Sequence, residues 1–296
     1  MYIVNILLPD FLLILFGAVL LRVTNWGSEF WAGMEKIIYY VLFPALLFYS
    51  TARSPINFGA TGQFLQVAIA ACVAGILLGW LAKPLFKAGP MVFESGVQTA
   101  FRFNSYIALA IAGRLGGEEG TSLMGMAIGF AVPLCNMAAV HALVKDKGGL
   151  LLELIKNPLL VATLSGVVFN LLGLHLPDIA SAFLSRLGNA SIALGLIMVG
   201  AGLRLTGLHA SKGIATYLLF VKLFAVPTIT YALGVWLGLS PLHLQMVVMF
   251  AALPTASSAY VLAVRMGGNG PFVAFLISAG TLISMATLPL WLALLH

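Results

Sequence analysis

Ten stretches of about twenty residues, each almost free of charge, follow one another with short connections between them, and that pattern decides what the chain can become. They lie near residues 3–21, 33–52, 62–82, 92–115, 121–144, 157–174, 187–205, 213–237, 242–266 and 270–294. Runs of this length match the hydrocarbon core of a bilayer as helices. Lipid offers backbone polar groups no partner, so such runs must bond internally rather than stay irregular. Hydrophobic residues make up 61% of the chain and charged residues 8%, against about 25% charged in a soluble domain. No connection is long enough for a separate soluble domain, and the one between the halves, Val144 to Lys156, is only a loop. The first run, Ile3 to Leu21, lacks a basic leader, carries Pro9 and Asp10, and is followed by no small-residue cleavage site. It reads as a first spanning helix rather than a signal peptide. The expected fold is an all-α integral membrane bundle of ten transmembrane helices.

The net charge of +6 does not mark a nucleic-acid surface, because the 15 Lys and Arg residues sit singly or in pairs between apolar runs. Arg22, Lys36, Lys83, Lys87, Lys145, Lys147, Lys156, Arg204, Lys212 and Arg265 fall on one side of the expected bundle; Arg53, Arg114 and Arg186 fall on the other. Basic loops stay in the cytoplasm. The expectation is a multi-pass protein of the cell inner (plasma) membrane, with an even number of spans and both termini on the outer side. Cys72 and Cys135 lie inside apolar runs, far apart in sequence, and read as small buried hydrophobes rather than a disulfide or metal pair.

The fourth and ninth runs share a pattern. The fourth reads Phe101-Arg102-Phe103-Asn104-Ser105-Tyr106, then an apolar stretch, then Arg114-Leu115-Gly116-Gly117. The ninth reads Leu253-Pro254-Thr255-Ala256-Ser257-Ser258-Ala259-Tyr260, then an apolar stretch, then Arg265-Met266-Gly267-Gly268. The two Gly-Gly pairs stand 151 residues apart, about half the chain. Halves of five spans each, 1–148 and 149–296, are inverted relative to one another because five is odd. Paired interrupted helices in corresponding positions of inverted repeats point to a transporter's binding site, where half-helix ends with exposed backbone N–H groups attract anions.

The chain resembles the auxin efflux carrier family, which includes plant PIN proteins and many bacterial organic-acid carriers. The residues that carry the resemblance are Tyr40-Val41-Leu42-Phe43-Pro44-Ala45-Leu46-Leu47-Phe48, Phe101-Arg102-Phe103-Asn104, Asn157-Pro158 and the stretch Leu253 to Ala263. The resemblance implies two inverted five-helix repeats with crossed, broken helices 4 and 9, as in sodium–proton antiporters and bile-acid sodium symporters. It also implies an elevator-like motion of spans 3–5 and 8–10 against a scaffold of spans 1, 2, 6 and 7, an anionic substrate, and a homodimer through the scaffold. Plant members carry Asn-Pro-Asn-type motifs at the crossover. Here Asn104 has no proline beside it and Pro254 no asparagine, so nothing supports auxin as the substrate.

Candidate substrate-binding residues are Arg102, Asn104, Ser105, Pro254, Thr255, Ser257 and Ser258. Arg102 leads. A charge at that depth is costly and functional, and its planar fork suits a carboxylate; the competing reading is a side chain that snorkels to the interface. The polar residues would otherwise be ordinary helix-packing groups. Lys222, flanked on both sides by apolar residues, either neutralises the carbonyl end of a broken helix, stands in for a coupling cation, or faces a watery crevice. Asn136 and Pro133 could face the crossover, whereas Asn189 and Ser191 read first as packing residues, as do Gly75, Gly79, Gly195, Gly200 and Gly202 at close helix approaches.

No Asp or Glu falls in the middle of a span, so a carboxylate proton relay is not expected. Coupling to Na+ through carbonyl and hydroxyl oxygens, and uniport driven by membrane potential, both stay open. Walker loop, metal-ligand cluster and nucleophile elbow are missing, so the chain is not read as an enzyme and no cofactor beyond Na+ is implied. The expected function is a secondary carrier of a small organic anion such as a dicarboxylate; the alternatives are a bile-acid-type sodium symporter and, behind it, a channel.

Overall fold

A computed structural model of the protein describes residues 2–53, 58–86, 89–143, 158–203, 211–256 and 258–295. The expected substrate residue Ser257 and the basic residues Lys87, Lys145, Lys147, Lys156 and Arg204 lie outside the described residues. The described residues are helical without a strand. In chain order they form α1 (Tyr2–Val23), α2 (Ser28–Ile37), a π turn (Ile38–Leu42), α3 (Phe43–Arg53), α4 (Phe58–Phe86) and α5 (Pro90–Gly96). A 3-10 turn (Val97–Ala100), α6 (Ser105–Leu143), α7 (Pro158–Leu171) and α8 (Asp178–Ala201) follow. The chain closes with α9 (Lys212–Phe220), a second π turn (Val221–Ala225), α10 (Val226–Trp236), α11 (Pro241–Ala252), α12 (Ser258–Arg265) and α13 (Gly270–Ala293).

Among the described residues, six helical stretches are long and apolar enough to cross a membrane: Ser28–Arg53, Gly59–Phe86, Pro90–Leu143, Asp178–Ala201, Lys212–Trp236 and Gly270–Ala293. Phe11–Val23, Val161–Leu171 and Pro241–Ala252 are shorter apolar helices. Within the described residues each of the ten apolar runs lies largely on helix, the fourth and the ninth with an interruption. The seventh differs most in extent, because α8 begins at Asp178 rather than near 187. Its first turns hold Asp178, Ser181, Ser185 and Arg186, which lower local hydropathy without breaking the helix.

Lipid-facing stripes explain why this surface suits a bilayer. On α1, Leu12, Phe16, Val19 and Val23 are all exposed, and their spacing of four, three and four residues places them on one face. Leu77, Leu81 and Leu85 repeat the pattern on α4. Apolar faces this continuous do not belong in water.

The chain groups into two compact units. The first comprises residues 1–61, 106–130 and 151–202. Within it α1 packs along α8 at the closest range helices reach. A Cβ added to Gly17 would meet the Ile197 carbonyl, and one added to Gly200 would meet the Ile14 carbonyl. α3 packs on α7, where Asn170 Nδ2 donates to the carbonyls of Ala52 at 2.9 Å and Thr51 at 3.2 Å. The second unit comprises residues 62–105, 131–150 and 203–296. Here α12 and α13 close over a small core of Ala259, Ala263, Val273 and Ile277. α4 approaches the end of the 3-10 turn through Gly75, where a Cβ would sit 2.9 Å from the Ala100 carbonyl oxygen.

Each Gly-Gly pair supplies one left-handed residue. Gly117 (φ 57°) turns the backbone inside α6, and Gly267 (φ 71°) follows the end of α12. Only glycine adopts that conformation without cost.

Candidate functional site

Two helices of the second unit are interrupted, for different reasons. α11 stops at Ala252 because Pro254 bars the helical conformation from the residue before it, and Leu253 is extended at φ −59°, ψ 143°. Residues 253–256 are non-helical, and α12 resumes at Ser258. The other interruption has no proline. The chain tightens through the 3-10 turn, Phe101 departs at φ −128°, ψ −21°, and residues 102–104 are irregular before α6 begins at Ser105. This break is held by tertiary bonds. Asn104 N–H donates to the Pro254 carbonyl at 2.9 Å, and Thr255 Oγ1 donates to the Thr99 carbonyl at 2.8 Å. Cys135 Sγ donates to the Phe101 carbonyl at 3.4 Å. The two breaks therefore supply each other with backbone hydrogen-bond partners, as irregular chain away from water needs.

Arg102 is buried at this junction, 8% exposed. Its Nη2 donates to Asn136 Oδ1 at 2.7 Å and to Ser258 Oγ at 3.1 Å, and its Nη1 to Gln98 Oε1 at 3.1 Å. Gln98 is held in turn, donating from Nε2 to the Ser95 carbonyl at 3.1 Å. The guanidinium thus spans both interrupted helices and α6, fixed by neutral amide and hydroxyl oxygens. An anion reaching it would exchange neutral acceptors for charged ones, which the planar guanidinium fork can grip with two parallel bonds.

Lys222 lies in the second π turn, 4% exposed, and its Nζ donates to the Ala251 carbonyl at 3.0 Å. Ala251 belongs to the last turn of α11, where carbonyls lack intrahelical partners and the helix end is partially negative. A cavity of about 10 Å³ beside it is lined by Cys72, Phe101, Phe103, Lys222, Phe250 and Ala251. Phe103 and Phe250 seal one wall with ring centroids 4.5 Å apart.

The structure thus brings together Arg102, Asn104, Pro254, Thr255, Ser258 and Asn136 through direct bonds, with Lys222 on the carbonyl end of one broken helix. Ser105 opens α6, next in the chain to Asn104. Cys72 and Cys135 are free and buried, but Cys135 also caps a broken-helix carbonyl. Sequence reasoning missed that role together with Thr99 and Gln98. The one available signal was the position of Gln98 four residues before Arg102, the spacing of a helical side-chain pair. Asn189 belongs to the first unit, where it lines an open cavity of about 480 Å³ with Tyr49, Ser50, Arg114, Glu118 and Ser185.

Interrupted, mutually bonded helices with buried cations, set among apolar helices long enough to cross a bilayer, define a multi-pass membrane protein of the transport class. Residues 140–292, just over half of the chain, match the membrane transport protein family, that of the auxin efflux carriers. The chain belongs to this family, and so is a membrane transporter rather than an enzyme. It is 25% identical over 295 residues to an "Uncharacterized transporter" of Methanothermobacter thermautotrophicus, covering 94% of each chain. It is 24% identical over 306 residues to a "Putative malonate transporter" of Rhizobium meliloti, covering 96% of this chain and 93% of the relative.

Proposed function

We propose that the protein is a secondary carrier of a small organic anion of the dicarboxylate class, with Arg102 as the anion's principal ligand. The observation that carries this reading is the buried guanidinium of Arg102 fastened across both helix breaks, to Ser258 on one side and Gln98 on the other. A cation buried at that depth points to a functional site, and the planar fork of arginine suits a carboxylate. Asn104, Ser105, Pro254, Thr255, Ser257 and Ser258 supply the surrounding polar groups and half-helix ends, and Asn136 orients the arginine. The relative named for malonate supports a dicarboxylate as the ligand to try first.

In this reading the ten helices form two inverted repeats, 1–148 and 149–296, and transport moves spans 3–5 and 8–10 against spans 1, 2, 6 and 7. Its support is the grouping of the chain, in which 62–105, 131–150 and 203–296 fall in one compact unit while 1–61 and 151–202 fall in the other; the stretch 106–130, the outer parts of spans 4 and 5, groups with the latter. The matched Gly-Gly turns support the repeat, and the distribution of basic residues supports termini on the outer side of the inner membrane. The test is equilibrium binding of radiolabelled malonate and malate to the purified protein in detergent. Saturable binding that Arg102→Ala removes is the expected result. Undiminished affinity in the variant would take Arg102 out of the site, and no binding of either acid would withdraw the dicarboxylate class.

A further inference from the structure

Lys222 has no part in the anion site proposed above, yet its side chain is held firmly. Its Nζ donates to the Ala251 carbonyl at 3.0 Å, and the residue is 4% exposed. Its backbone belongs to the second π turn, Val221–Ala225, a form of helix frequent at functional sites. The turn is pinned to α13, because the Leu223 carbonyl accepts from Trp291 Nε1 at 2.9 Å. In a regular α-helix that carbonyl would take the N–H of residue 227, which is a proline and has none.

Ala251 lies in the last turn of α11, just before the break at Leu253. Carbonyls there have no intrahelical partner, and the helix end is partially negative. In secondary transporters such half-helix ends and unwound carbonyls coordinate Na+ or H+. Here the protein's own ammonium is already seated. Among the described residues no Asp or Glu is buried, so a cation at this point is balanced by the helix end rather than by a carboxylate. An ammonium carries the charge of an alkali ion, is close to K+ in size, and meets a carbonyl oxygen in the same way. The cavity of about 10 Å³ that Lys222 lines with Cys72, Phe250 and Ala251 has room for one water at most. An alkali ion with the rest of its shell cannot enter beside the lysine, but can do so once the stem and ammonium are removed.

We propose that Lys222 is a built-in cation filling a monovalent-cation site at the end of α11. The wild type binds neither Na+ nor K+ there, and a variant with Lys222 cut back gains an alkali-ion site. This goes beyond the organic-anion reading and does not depend on the cargo.

The test is scanning fluorimetry of the purified full chain in one detergent, without organic anion. NaCl or KCl is raised while choline chloride, whose cation is too large for the site, holds the ionic strength constant. The wild type should keep one midpoint in all three salts. Lys222→Ala should melt below the wild type in choline and rise saturably with Na+ or K+, by about 3 °C at ten times the half-saturating concentration. Lys222→Ser, which adds a hydroxyl oxygen, should respond likewise. Lys222→Met, which refills the space with an uncharged chain of similar length, should not. A rise specific to Na+ or K+ in the wild type, no rise in either short variant, or an equal rise in Lys222→Met would each overturn the proposal. Short variants that fold in Na+ or K+ but not in choline would support it in its strongest form. Short variants that fold in no salt would overturn it, since the ion should take the ammonium's place. Failure of malonate and malate to bind withdraws the dicarboxylate reading and leaves this inference standing.

Discussion

The hydrogen bond from Thr255 to the Thr99 carbonyl joins the two helix breaks, and its removal gives a number that the structure fixes. Both residues are buried, Thr255 1% and Thr99 2% exposed, and the bond is 2.8 Å long. Thr255→Val keeps the shape of the side chain and deletes the donor. The Thr99 carbonyl, at a point where the chain leaves its helix, is left in a dry place without that partner. An orphaned buried acceptor costs about 1–3 kcal/mol. For a chain of this size that lowers the unfolding midpoint by roughly 2–9 °C, at about 2–3 °C per kcal/mol. Thr230→Val is the control. Thr230 is equally buried, but its hydroxyl donates at 2.7 Å to the Val226 carbonyl four residues earlier in its own helix. That carbonyl keeps its backbone ladder bond, so the cost should be well under 1 kcal/mol. Scanning fluorimetry of the purified variants in one detergent reads both, and Thr255→Ser should recover most of the loss. A Thr255→Val midpoint at or above that of Thr230→Val would refute the claim that this bond holds the breaks together.

Arg102→Lys keeps the charge but loses the planar fork, so malonate affinity should fall about tenfold or more in the binding assay. Gly75→Ala places a Cβ 2.9 Å from the Ala100 carbonyl and 3.1 Å from the Phe101 Cβ. The backbone at the first break must give way, at about 1–3 kcal/mol, visible as a lowered midpoint. Glu118→Gln, by contrast, breaks an ion pair with Arg53 that is 3.2 Å long and about half exposed on each side. It should cost under about 1 kcal/mol and barely move the midpoint.

The second break was legible in sequence because Pro254 enforces it locally, whatever the tertiary surroundings. The first was legible only as a polar patch in an apolar run. Nothing in Phe101-Arg102-Phe103-Asn104 forbids a helix, and the interruption exists because Pro254, Thr255 and Cys135 supply partners from distant parts of the chain. Arg102, Asn104, Thr255 and Ser258 stood out in the sequence as polar groups at depth, whereas Thr99 and Cys135 did not. A backbone carbonyl carries no residue signature, and a thiol among alanines reads as packing. Lys222 was visible as a buried charge. Its partner was not, because the π turn that carries it has no sequence marker and the Ala251 carbonyl lies 29 residues away. The Gly-Gly pairs were legible for a backbone reason, since Gly117 and Gly267 take positive φ, open to almost no other residue.

The central claim is that this family member carries a small dicarboxylate through a site organised by Arg102. Counterflow in proteoliposomes tests it most directly, with unlabelled malonate or malate inside and a trace of the labelled acid outside, for the wild type and for Arg102→Ala. Transient accumulation of label by the wild type and none by the variant is the expected result. Equal accumulation by both would contradict the role of Arg102, and no accumulation of either acid by the wild type would contradict the dicarboxylate reading itself.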